Sequence, residues 1–363
     1  MAAVSLGLPR VRGRAPTAAP APPPGDGRLR DRFGRTAVDL RVSLTDRCNL
    51  RCGYCMPPEG LDWMAREELL ADEEVVRLVT VAVRDLGVEE VRFTGGEPLL
   101  RRGLAAIVAA TSGLRTPGGV PVRTSLTTNG IGLARLAAGF AQVGLDRVNV
   151  SLDTLDRDRF TAITHRDRLA DVLAGLRAAQ EAGLAPVKVN SVLLRGVNDD
   201  EAPALLRWAL REGYSLRFIE QMPLDPQGAW DRDEMVTAAE IVERLGAHFA
   251  LQPVPASVRG SAPAETWLVD DGAGLSGTVG VIASVTRPFC GDCDRTRLTA
   301  DGQVRTCLFS TSETDLRGLL RAGASDAELA GAWRAAMWQK KAGHDIDDPS
   351  FLHPDRPMSA IGG

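Results

Sequence analysis

Residues 39–55 of the chain are DLRVSLTDRCNLRCGYC, and this stretch carries the first evidence about the fold. Its first residues alternate between apolar and polar, which predicts a β-strand with one buried face. Directly after this strand stand Cys48, Cys52 and Cys55, spaced C-x3-C-x2-C. Three thiolates can hold a 4Fe-4S cluster and leave its fourth iron open, whereas zinc sites favour four protein ligands. We therefore predict a 4Fe-4S cluster here, with a zinc site as the alternative.

Short β-rich runs alternate with longer helical patterns after residue 37, an order that is typical of parallel strands. The predicted strands are Val38–Ser43, Glu90–Phe93, Val122–Leu126, Arg147–Ser151, Val187–Leu193 and Ser215–Ile219. The helical stretches between them include Asp72–Leu86, Leu133–Val143, Ala170–Ala182 and Glu201–Glu212. Six repeats are two fewer than a closed eight-fold barrel contains. We predict an α/β fold, a partial six-fold βα barrel of the TIM type with one open side.

Polar motifs follow five of the six predicted strands. They are Thr45–Cys55, Thr94–Pro98, Thr127–Gly130, Ser151–Asp153 and Glu220–Met222. In a parallel sheet, functional groups gather at the carboxyl ends of the strands. We therefore expect these motifs to form one active site.

The composition excludes several classes of protein. The 363 residues are 44% apolar and carry a formal net charge of −4, so no global field favours nucleic acid as a partner. No apolar run reaches the roughly 18 residues that a membrane span needs. Six cysteines in a chain without a secretory signal favour metal binding over disulfides, because the cytosol keeps thiols reduced. We expect a cytoplasmic protein without a nucleic-acid or membrane partner.

A second triad, Cys290, Cys293 and Cys307, has the spacing C-x2-C-x13-C. No histidine lies nearby in the sequence to complete a zinc tetrad, so a second cluster with an open iron is the more economical interpretation. A zinc site completed by water or Asp292 is the alternative.

Arg295 and Arg297 stand between these cysteines. On an extended segment their alternation places both guanidinium groups on one face, where they can bind phosphates through paired hydrogen bonds. A solvated surface pair is the alternative. The chain has no G-x-x-x-x-G-K-[ST] sequence, so a P-loop does not hold any nucleotide.

The pattern along the chain predicts four parts. Residues 1–32 form a disordered leader, since they are rich in Ala, Pro, Gly and Arg without hydrophobic periodicity. Residues 33–223 form the partial barrel. Residues 224–345 form a C-terminal module that holds the second iron-sulfur cluster and covers the open side of the barrel. Residues 346–363 form a flexible tail that ends in Gly-Gly.

The first triad, with Tyr54 before its last cysteine, resembles the signature of the radical S-adenosylmethionine superfamily. The sequence Gly95-Gly96-Glu97 after the second strand resembles the GGE motif of that superfamily, although it can also form a simple turn. The resemblance implies that the first cluster binds S-adenosyl-L-methionine. It implies that the cofactor is contacted by Tyr54, Gly96, Glu97, Ser151 and Met222. The alternative is an ordinary structural role, in which Tyr54 and Met222 pack in the core and Ser151 lies in a turn at the end of a strand.

Further motifs narrow the resemblance to the GTP 3',8-cyclase family, known as molybdenum-cofactor biosynthesis protein A. It extends from about Phe33 to Gly363 and rests on RFTGGEPLLR, LTTNG, VNVSLDTL, VKVNSVLLRGVND, LRFIEQMP, FCGDCDRTRLTADG and the terminal Gly-Gly. The resemblance implies a lyase that converts GTP to (8S)-3',8-cyclo-7,8-dihydroguanosine 5'-triphosphate, the first step of molybdenum cofactor biosynthesis. Implied GTP contacts are Arg41, Arg92, Thr127, Lys188, Arg295, Thr296 and Arg297, beside a second 4Fe-4S cluster that binds guanine.

The resemblance also implies that the tail, with Gly362 and Gly363, enters the active site and assists catalysis. The implied partners are an electron donor such as flavodoxin or ferredoxin and a downstream cyclic pyranopterin monophosphate synthase. The chain is then expected to be a monomer or a homodimer. Two alternatives remain at this point: a radical S-adenosylmethionine enzyme that modifies a peptide and uses an auxiliary cluster, and a zinc-stabilised binding module.

Overall fold

The computed structural model describes residues 27–225, 228–348, 351, 353–354 and 356–362. The strands of this part are β1 Asp39–Ser43, β2 Glu90–Thr94, β3 Arg123–Thr128, β4 Arg147–Ser151, β5 Lys188–Val192, β6 Ser215–Ile219, β7 Ala250–Pro253, β8 Glu265–Asp270, β9 Ser276–Ile282, β10 Arg295–Leu298, β11 Gln303–Arg305 and β12 Thr314–Asp315. The helices are α1 Asp72–Arg84, α2 Leu104–Ser112, α3 Leu133–Gln142, α4 Arg157–Thr164, α5 Leu169–Glu181, α6 Ala202–Glu212, α7 Ala238–Gly246, α8 Ala256–Arg259, α9 Leu316–Arg321, α10 Asp326–Trp338 and α11 Met358–Ile361.

All six predicted strands are confirmed, as are the four predicted helices, with bounds that differ by at most two residues. The leader predicted for residues 1–32 falls largely outside the described residues, which begin at residue 27. Within its last part Leu29 is fully buried and its carbonyl accepts a hydrogen bond from the Ala37 N–H at 2.8 Å. In the described part of the chain, no helix is both long and apolar enough to cross a membrane.

The strands form one sheet in the order β12-β11-β10-β1-β2-β3-β4-β5-β6-β9-β8-β7. β1 to β6 are parallel, and the parallel part continues with β10 beside β1 and with β9 beside β6. The strands beyond β10 and β9 pair antiparallel, and the sheet does not close on itself. The predicted partial barrel is confirmed, and its edges are extended by strands that the sequence pattern left unassigned.

The two faces of the sheet differ in polarity. Leu40 and Val42 of β1 are fully buried in the hydrophobic core beneath the helices, while Arg41 between them lines the interior of the barrel. This follows from the two-residue period of a strand. Helix α1 contributes to the same core with Val75, Leu78, Val79 and Ala82, which recur at helical spacing. Apolar burial therefore holds the sheet against its helices and leaves the interior available for polar groups.

Glu220, directly after β6, joins the barrel to the C-terminal part of the chain. Its fully buried carboxylate accepts hydrogen bonds from the Ala238 N–H at 2.8 Å, the Val285 N–H at 2.8 Å and the Thr286 N–H at 2.9 Å. The Thr286 hydroxyl donates a further bond at 2.5 Å. One side chain thus fixes both the start of α7 and the loop after β9.

We expect Glu220→Ala to lower the free energy of unfolding by at least about 3 kcal/mol, because it leaves several buried donors without an acceptor. The measurement is chemical denaturation followed by circular dichroism. Glu212→Ala, at an exposed position near the end of α6, is the matched control and should change stability little. Equal stability of the two variants would contradict the role given to Glu220.

Candidate active site

One cavity lies inside the barrel and reaches both cysteine triads. It is lined by Cys55 of the first triad and by Cys290, Cys293 and Cys307 of the second. The predicted site residues that also line it are Tyr54, Ser151, Met222, Arg41, Arg92, Thr127, Arg295 and Arg297. The structure therefore brings residues from both ends of the chain to one place.

The loop of the first triad rests on the Gly95-Gly96-Glu97 loop through backbone contacts. The Gly96 N–H donates to the Thr45 carbonyl and the Glu97 N–H to the Arg47 carbonyl, both at 2.7 Å. A Cβ atom at Gly96 would lie 2.3 Å from the Arg47 oxygen, and one at Gly95 would lie 2.5 Å from the Thr45 oxygen. Only glycine, which has no Cβ atom, allows the two loop backbones to come this close together.

The carboxylate of Glu97 is fully buried and accepts three hydrogen bonds from the protein. The donors are the Leu99 N–H at 3.0 Å, the Thr128 hydroxyl at 2.7 Å and the Asn129 N–H at 2.7 Å. Burial raises the pKa of Glu97 to about 7. Glu97 therefore connects the loops after β2 and β3, and because a carboxylate has about four acceptor positions it keeps capacity for one more donor.

Tyr54 and Asp153 form a buried pair beside the first triad. The Tyr54 hydroxyl donates to Asp153 at 2.8 Å, and the other carboxylate oxygen accepts from the Val192 N–H at 2.9 Å. Burial raises the pKa of Asp153 to about 6. Burial and the nearby Asp153 also raise the pKa of Cys52 well above its usual value. The side of the first triad at Cys52 and Tyr54 is thus acidic and desolvated, while Arg51 donates to the Cys48 carbonyl at 2.8 Å on the other side.

The second triad has a basic surrounding. Although burial opposes ionisation, the Lys340 ammonium and the Arg295 guanidinium lower the pKa of Cys293. Arg35 donates to the Cys290 carbonyl at 2.6 Å. Burial and the two other cysteines raise the pKa of Cys290 to about 11. A metal cluster that attracts electron density from the thiolates would relieve this mutual repulsion.

Both triads offer the ligands that an iron-sulfur cluster uses. In the part that the structure describes, the six cysteines form no disulfide. Each triad supplies three thiols, a number that leaves one iron of a 4Fe-4S cluster open. The chemistry of these donors fits the predicted clusters.

Cations are concentrated between the two triads. Arg297, Arg41 and Arg92 lie side by side on β10, β1 and β2. The carboxylates that face them are few: Arg92 pairs with Glu90 at 2.8 Å, and Asp39 lies 3.7 Å from Arg92. Within the described residues, Arg41 and Arg297 have no ion pair. The cavity thus has an excess of positive charge.

Several of these guanidinium groups have a buried Nε atom that is not hydrogen-bonded within the described residues. The buried Nε atoms of Arg41, Arg217 and Arg295 have no hydrogen-bond partner among the described residues. Burial and the charges of Arg92 and Arg147 lower the pKa of Arg217 to about 9. Buried donors and uncompensated cations are costly unless an anion binds them. The arrangement is suited to a polyanionic ligand.

Four predicted contacts lie away from the lining of this cavity. Thr296 occupies the opposite face of β10 from Arg295 and Arg297, and its hydroxyl accepts a bond from the Trp333 indole at 2.9 Å. Gly96 and Glu97 lie beneath the first triad rather than at the cavity wall. Lys188 is half-buried on β5, where it faces Asn149 of β4 across the sheet. The alternation of a strand explains the position of Thr296.

Sequence reasoning missed Arg217, which lines the cavity, and it included Asp153, which also lines the cavity, only as the last residue of the motif Ser151–Asp153. Arg217 lies on β6 between the buried residues Leu216 and Phe218, and its guanidinium donates to Asn149 at 3.1 Å. A charged residue inside an apolar strand is the signal that would have identified it. The position of Asp153 after the fourth strand predicted that it lies at the site, but not its bond to Tyr54, since an acid after a strand is common in turns.

The C-terminal tail enters the site. Helix α11 is largely buried, and the Ser359 backbone N–H lies close enough to the Cys55 thiol to oppose the rise that burial causes in its pKa. The Gly362 carbonyl accepts a bond from Arg297 at 2.5 Å. Arg356 fastens the segment through two bonds to Asp301 at 2.9 and 2.7 Å. Gly362 thus lies beside Arg297, a residue of the cavity lining, and Gly363 lies outside the described residues.

Comparison with known proteins identifies two regions and many relatives. The profile of the radical SAM superfamily matches residues 42–209, and the profile described as Molybdenum Cofactor Synthesis C matches residues 214–346. The chain is 64% identical to a GTP 3',8-cyclase of Streptomyces coelicolor over 92% of this chain and 96% of that protein. It is 60% identical to a GTP 3',8-cyclase of Mycobacterium marinum and 58% identical to GTP 3',8-cyclase 2 of Mycobacterium tuberculosis, in both cases over 100% of each chain.

Solved structures share the fold at low sequence identity. Streptococcus suis SuiB has a TM-score of 0.57 and 14% identity, with 89% of this chain and 76% of SuiB covered. The structure of SuiB bound to S-adenosylmethionine has a TM-score of 0.51 at 14% identity, and the alignment covers 83% of this chain and 68% of the SuiB chain. At this identity the likeness supports the barrel architecture alone.

We expect Gly96→Ala to displace the loop of the first triad, because the added methyl group would overlap the Arg47 carbonyl. Iron content after anaerobic reconstitution should fall towards about half, since only the first cluster would be lost. Stability should fall by about 1–3 kcal/mol. Gly113→Ala is the control, because a Cβ there meets nothing within 4 Å. Full iron content in Gly96→Ala would refute this dependence.

Proposed function

Because the chain belongs to the GTP 3',8-cyclase family, we propose that it converts GTP to (8S)-3',8-cyclo-7,8-dihydroguanosine 5'-triphosphate, the first step of molybdenum cofactor biosynthesis. It is a radical S-adenosylmethionine enzyme. The observation that carries the proposal for this site is a single cavity in which an excess of buried arginines lies between two cysteine triads. GTP is a polyanion with a base that can reach the second triad.

The cysteine triads are the proposed ligands of two 4Fe-4S clusters, Cys48, Cys52 and Cys55 for the first and Cys290, Cys293 and Cys307 for the second. When bound, the first cluster and S-adenosyl-L-methionine supply the radical chemistry that begins the reaction. Tyr54, Ser151 and Met222 line the cavity near Cys55 and are the proposed contacts of that cofactor. Gly96 and Glu97 are proposed to act there through the loop that they hold in place.

The arginines are proposed to bind the triphosphate. Arg41, Arg92 and Arg297 form one row across three strands, and Arg217 and Arg295 carry unpartnered buried donors. Charge-assisted bonds from guanidinium groups fix the phosphates in position and orientation. Thr127, whose hydroxyl accepts from Asn149 at 3.2 Å, and Lys188 are proposed as further contacts. Fixing both ends of GTP places its ribose between the two triads, where positioning lowers the barrier.

The tail is proposed to assist the reaction from inside the cavity. Arg297 contacts both the proposed phosphate site and the Gly362 carbonyl, so the tail and the substrate share one cation. Gly362 has a φ of 85° and packs against Thr94 and Ser43 at the ends of β2 and β1. Closing the cavity with this segment excludes water from the reacting atoms.

The peptide-modifying alternative lacks support in the chain, because an extended peptide does not need this excess of buried cations. An electron donor such as flavodoxin or ferredoxin and a downstream cyclic pyranopterin monophosphate synthase are proposed as partners. A monomer or homodimer in the cytoplasm is the proposed state.

The decisive experiment is anaerobic turnover of the reconstituted, reduced enzyme with S-adenosylmethionine and GTP. We expect deoxyadenosine together with a product isomeric with GTP, because one hydrogen leaves the ribose and one electron and one proton are added. Arg217→Gln should raise the Kd for GTP by about 10- to 100-fold, the equivalent of about 1.5–3 kcal/mol for a charged hydrogen bond. Because the product and GTP have the same mass, liquid chromatography separates them before mass spectrometry identifies them, and calorimetry measures the affinity.

Arg159→Gln is the matched control, since Arg159 pairs with Asp200 and Glu201 at the protein surface. Deoxyadenosine without consumption of GTP would keep the radical chemistry and reject the substrate. Unchanged GTP affinity in Arg217→Gln would reject the phosphate site instead.

GTP affinity should also depend on pH. Burial, together with the charges of Arg217, Arg147 and Arg92, lowers the pKa of Lys188 to about 8, and Glu90 opposes this shift. Below pH 8 the ammonium is charged and attracts phosphate. Above pH 8 the free enzyme loses that proton, so affinity should fall by up to about tenfold per pH unit.

Calorimetry between pH 6.5 and 9 tests this dependence. Lys188→Met should bind GTP more weakly at pH 7 and lose the decline in affinity around pH 8, while Lys188→Arg should keep its affinity at pH 9. Lys341→Met, at an exposed lysine, should behave as the unsubstituted chain does. A flat profile in the unsubstituted chain would show that Lys188 does not contact the phosphates.

A further inference from the structure

Lys340 is a buried cation at the second triad. It follows α10 and is only 3% exposed. Its ammonium donates to the Cys293 carbonyl at 3.0 Å, the Arg295 carbonyl at 2.8 Å and the Cys293 sulfur at 3.3 Å. All three donors of the ammonium are therefore used at the second triad.

The charge of Lys340 has no carboxylate partner. No ion pair to its ammonium occurs within residues 27–225, 228–348 or the described positions after them. An unpaired ammonium is costly in a buried site, so a negative group must compensate it. Two of its three acceptors are neutral carbonyls, and the third is a cysteine sulfur. The compensating charge is therefore that of the ligands at the second triad.

The neighbouring cations do not have this arrangement. Arg35 reaches the Cys290 carbonyl, but it also pairs with Asp31 at 2.5 Å. Arg295 lies 3.8 Å from Asp39 and over the ring of Phe289. Lys340 alone among these three contacts a cysteine sulfur directly without a carboxylate partner. At the first triad Arg51 donates to the Cys48 carbonyl at 2.8 Å, and among the described residues no lysine or arginine is seen to donate to a sulfur of Cys48, Cys52 or Cys55.

We propose that Lys340 is a positioning residue of the second cluster, which stabilises its reduced form through a buried charge and a hydrogen bond to Cys293. The proposal rests on the proposed function, because it requires a cluster at the second triad. The reduction potential of an iron-sulfur cluster rises with positive charge nearby and with hydrogen bonds to its sulfurs. The two clusters would then differ in how readily they accept an electron, because only the second triad has a cation that donates to a cysteine sulfur among the described residues.

The test is a redox titration of the holoenzyme followed by electron paramagnetic resonance. The signal that GTP perturbs belongs to the second cluster, and the signal that S-adenosylmethionine perturbs belongs to the first. Lys340→Met removes the charge and keeps a chain of similar length. The second cluster's midpoint should shift to lower potential, and the first cluster's midpoint should stay unchanged.

Two further variants make the test specific. Lys340→Arg keeps the charge and should hold the midpoint near that of the unsubstituted enzyme. Lys341→Met removes the adjacent, exposed lysine, which pairs with Asp345 at 3.1 Å, and should change neither midpoint. Loss of the second cluster in Lys340→Met with its retention in Lys340→Arg would also support the proposal.

The proposal fails if Lys340→Met carries full iron with an unchanged midpoint. It also fails if Lys340→Arg shifts as far as Lys340→Met or loses the cluster with it, because shape rather than charge would then matter. The iron content of the unsubstituted enzyme is measured before any variant is made. If it shows only one cluster, the proposed function is wrong about a cluster at the second triad, and this outcome is distinct from a failure of the proposal for Lys340.

Discussion

Two loops meet backbone to backbone at the end of the barrel, and the first triad depends on that contact. Gly96 and Glu97 donate to the carbonyls of Thr45 and Arg47 at 2.7 Å, an approach that leaves no space for a side chain at residue 96. Glu97 then extends the connection to the loop after β3. Three successive strand ends are thereby fixed relative to each other, which is the rigidity that a cluster with an open iron requires.

The polarity of the barrel explains how one fold holds its core and its site. Apolar side chains such as Leu40 and Val42 pack against the helices and supply the stability, while the opposite faces of the same strands place Arg41 and its neighbours inside. Unpaired guanidinium groups reduce stability when the cavity is empty of anions. A bound polyanion would offset this cost, so the groups that destabilise the empty interior are the ones proposed to bind the triphosphate of GTP.

The C-terminal part of the chain completes the barrel as well as the site. β9 and β10 extend the parallel sheet at its two edges, and Arg297 of β10 stands beside Arg41 of β1. Glu220 fixes the loop after β9, and the segment that ends at Gly362 lies between the two triads. The region matched by the Molybdenum Cofactor Synthesis C profile thus contributes one wall of the cavity.

The sequence alone determined the six strands of β1 to β6, the two cysteine triads and the single face shared by Arg295 and Arg297, because each of these is encoded by local spacing. Only the tertiary structure decided that β9 and β10 flank the barrel, that Asp153 neighbours the first triad and that Lys340 contacts Cys293. Lys340 and Cys293 are separated by 47 residues. Side-chain periodicity reports which face of an element is buried, but which distant element covers that face depends on how the whole sheet assembles.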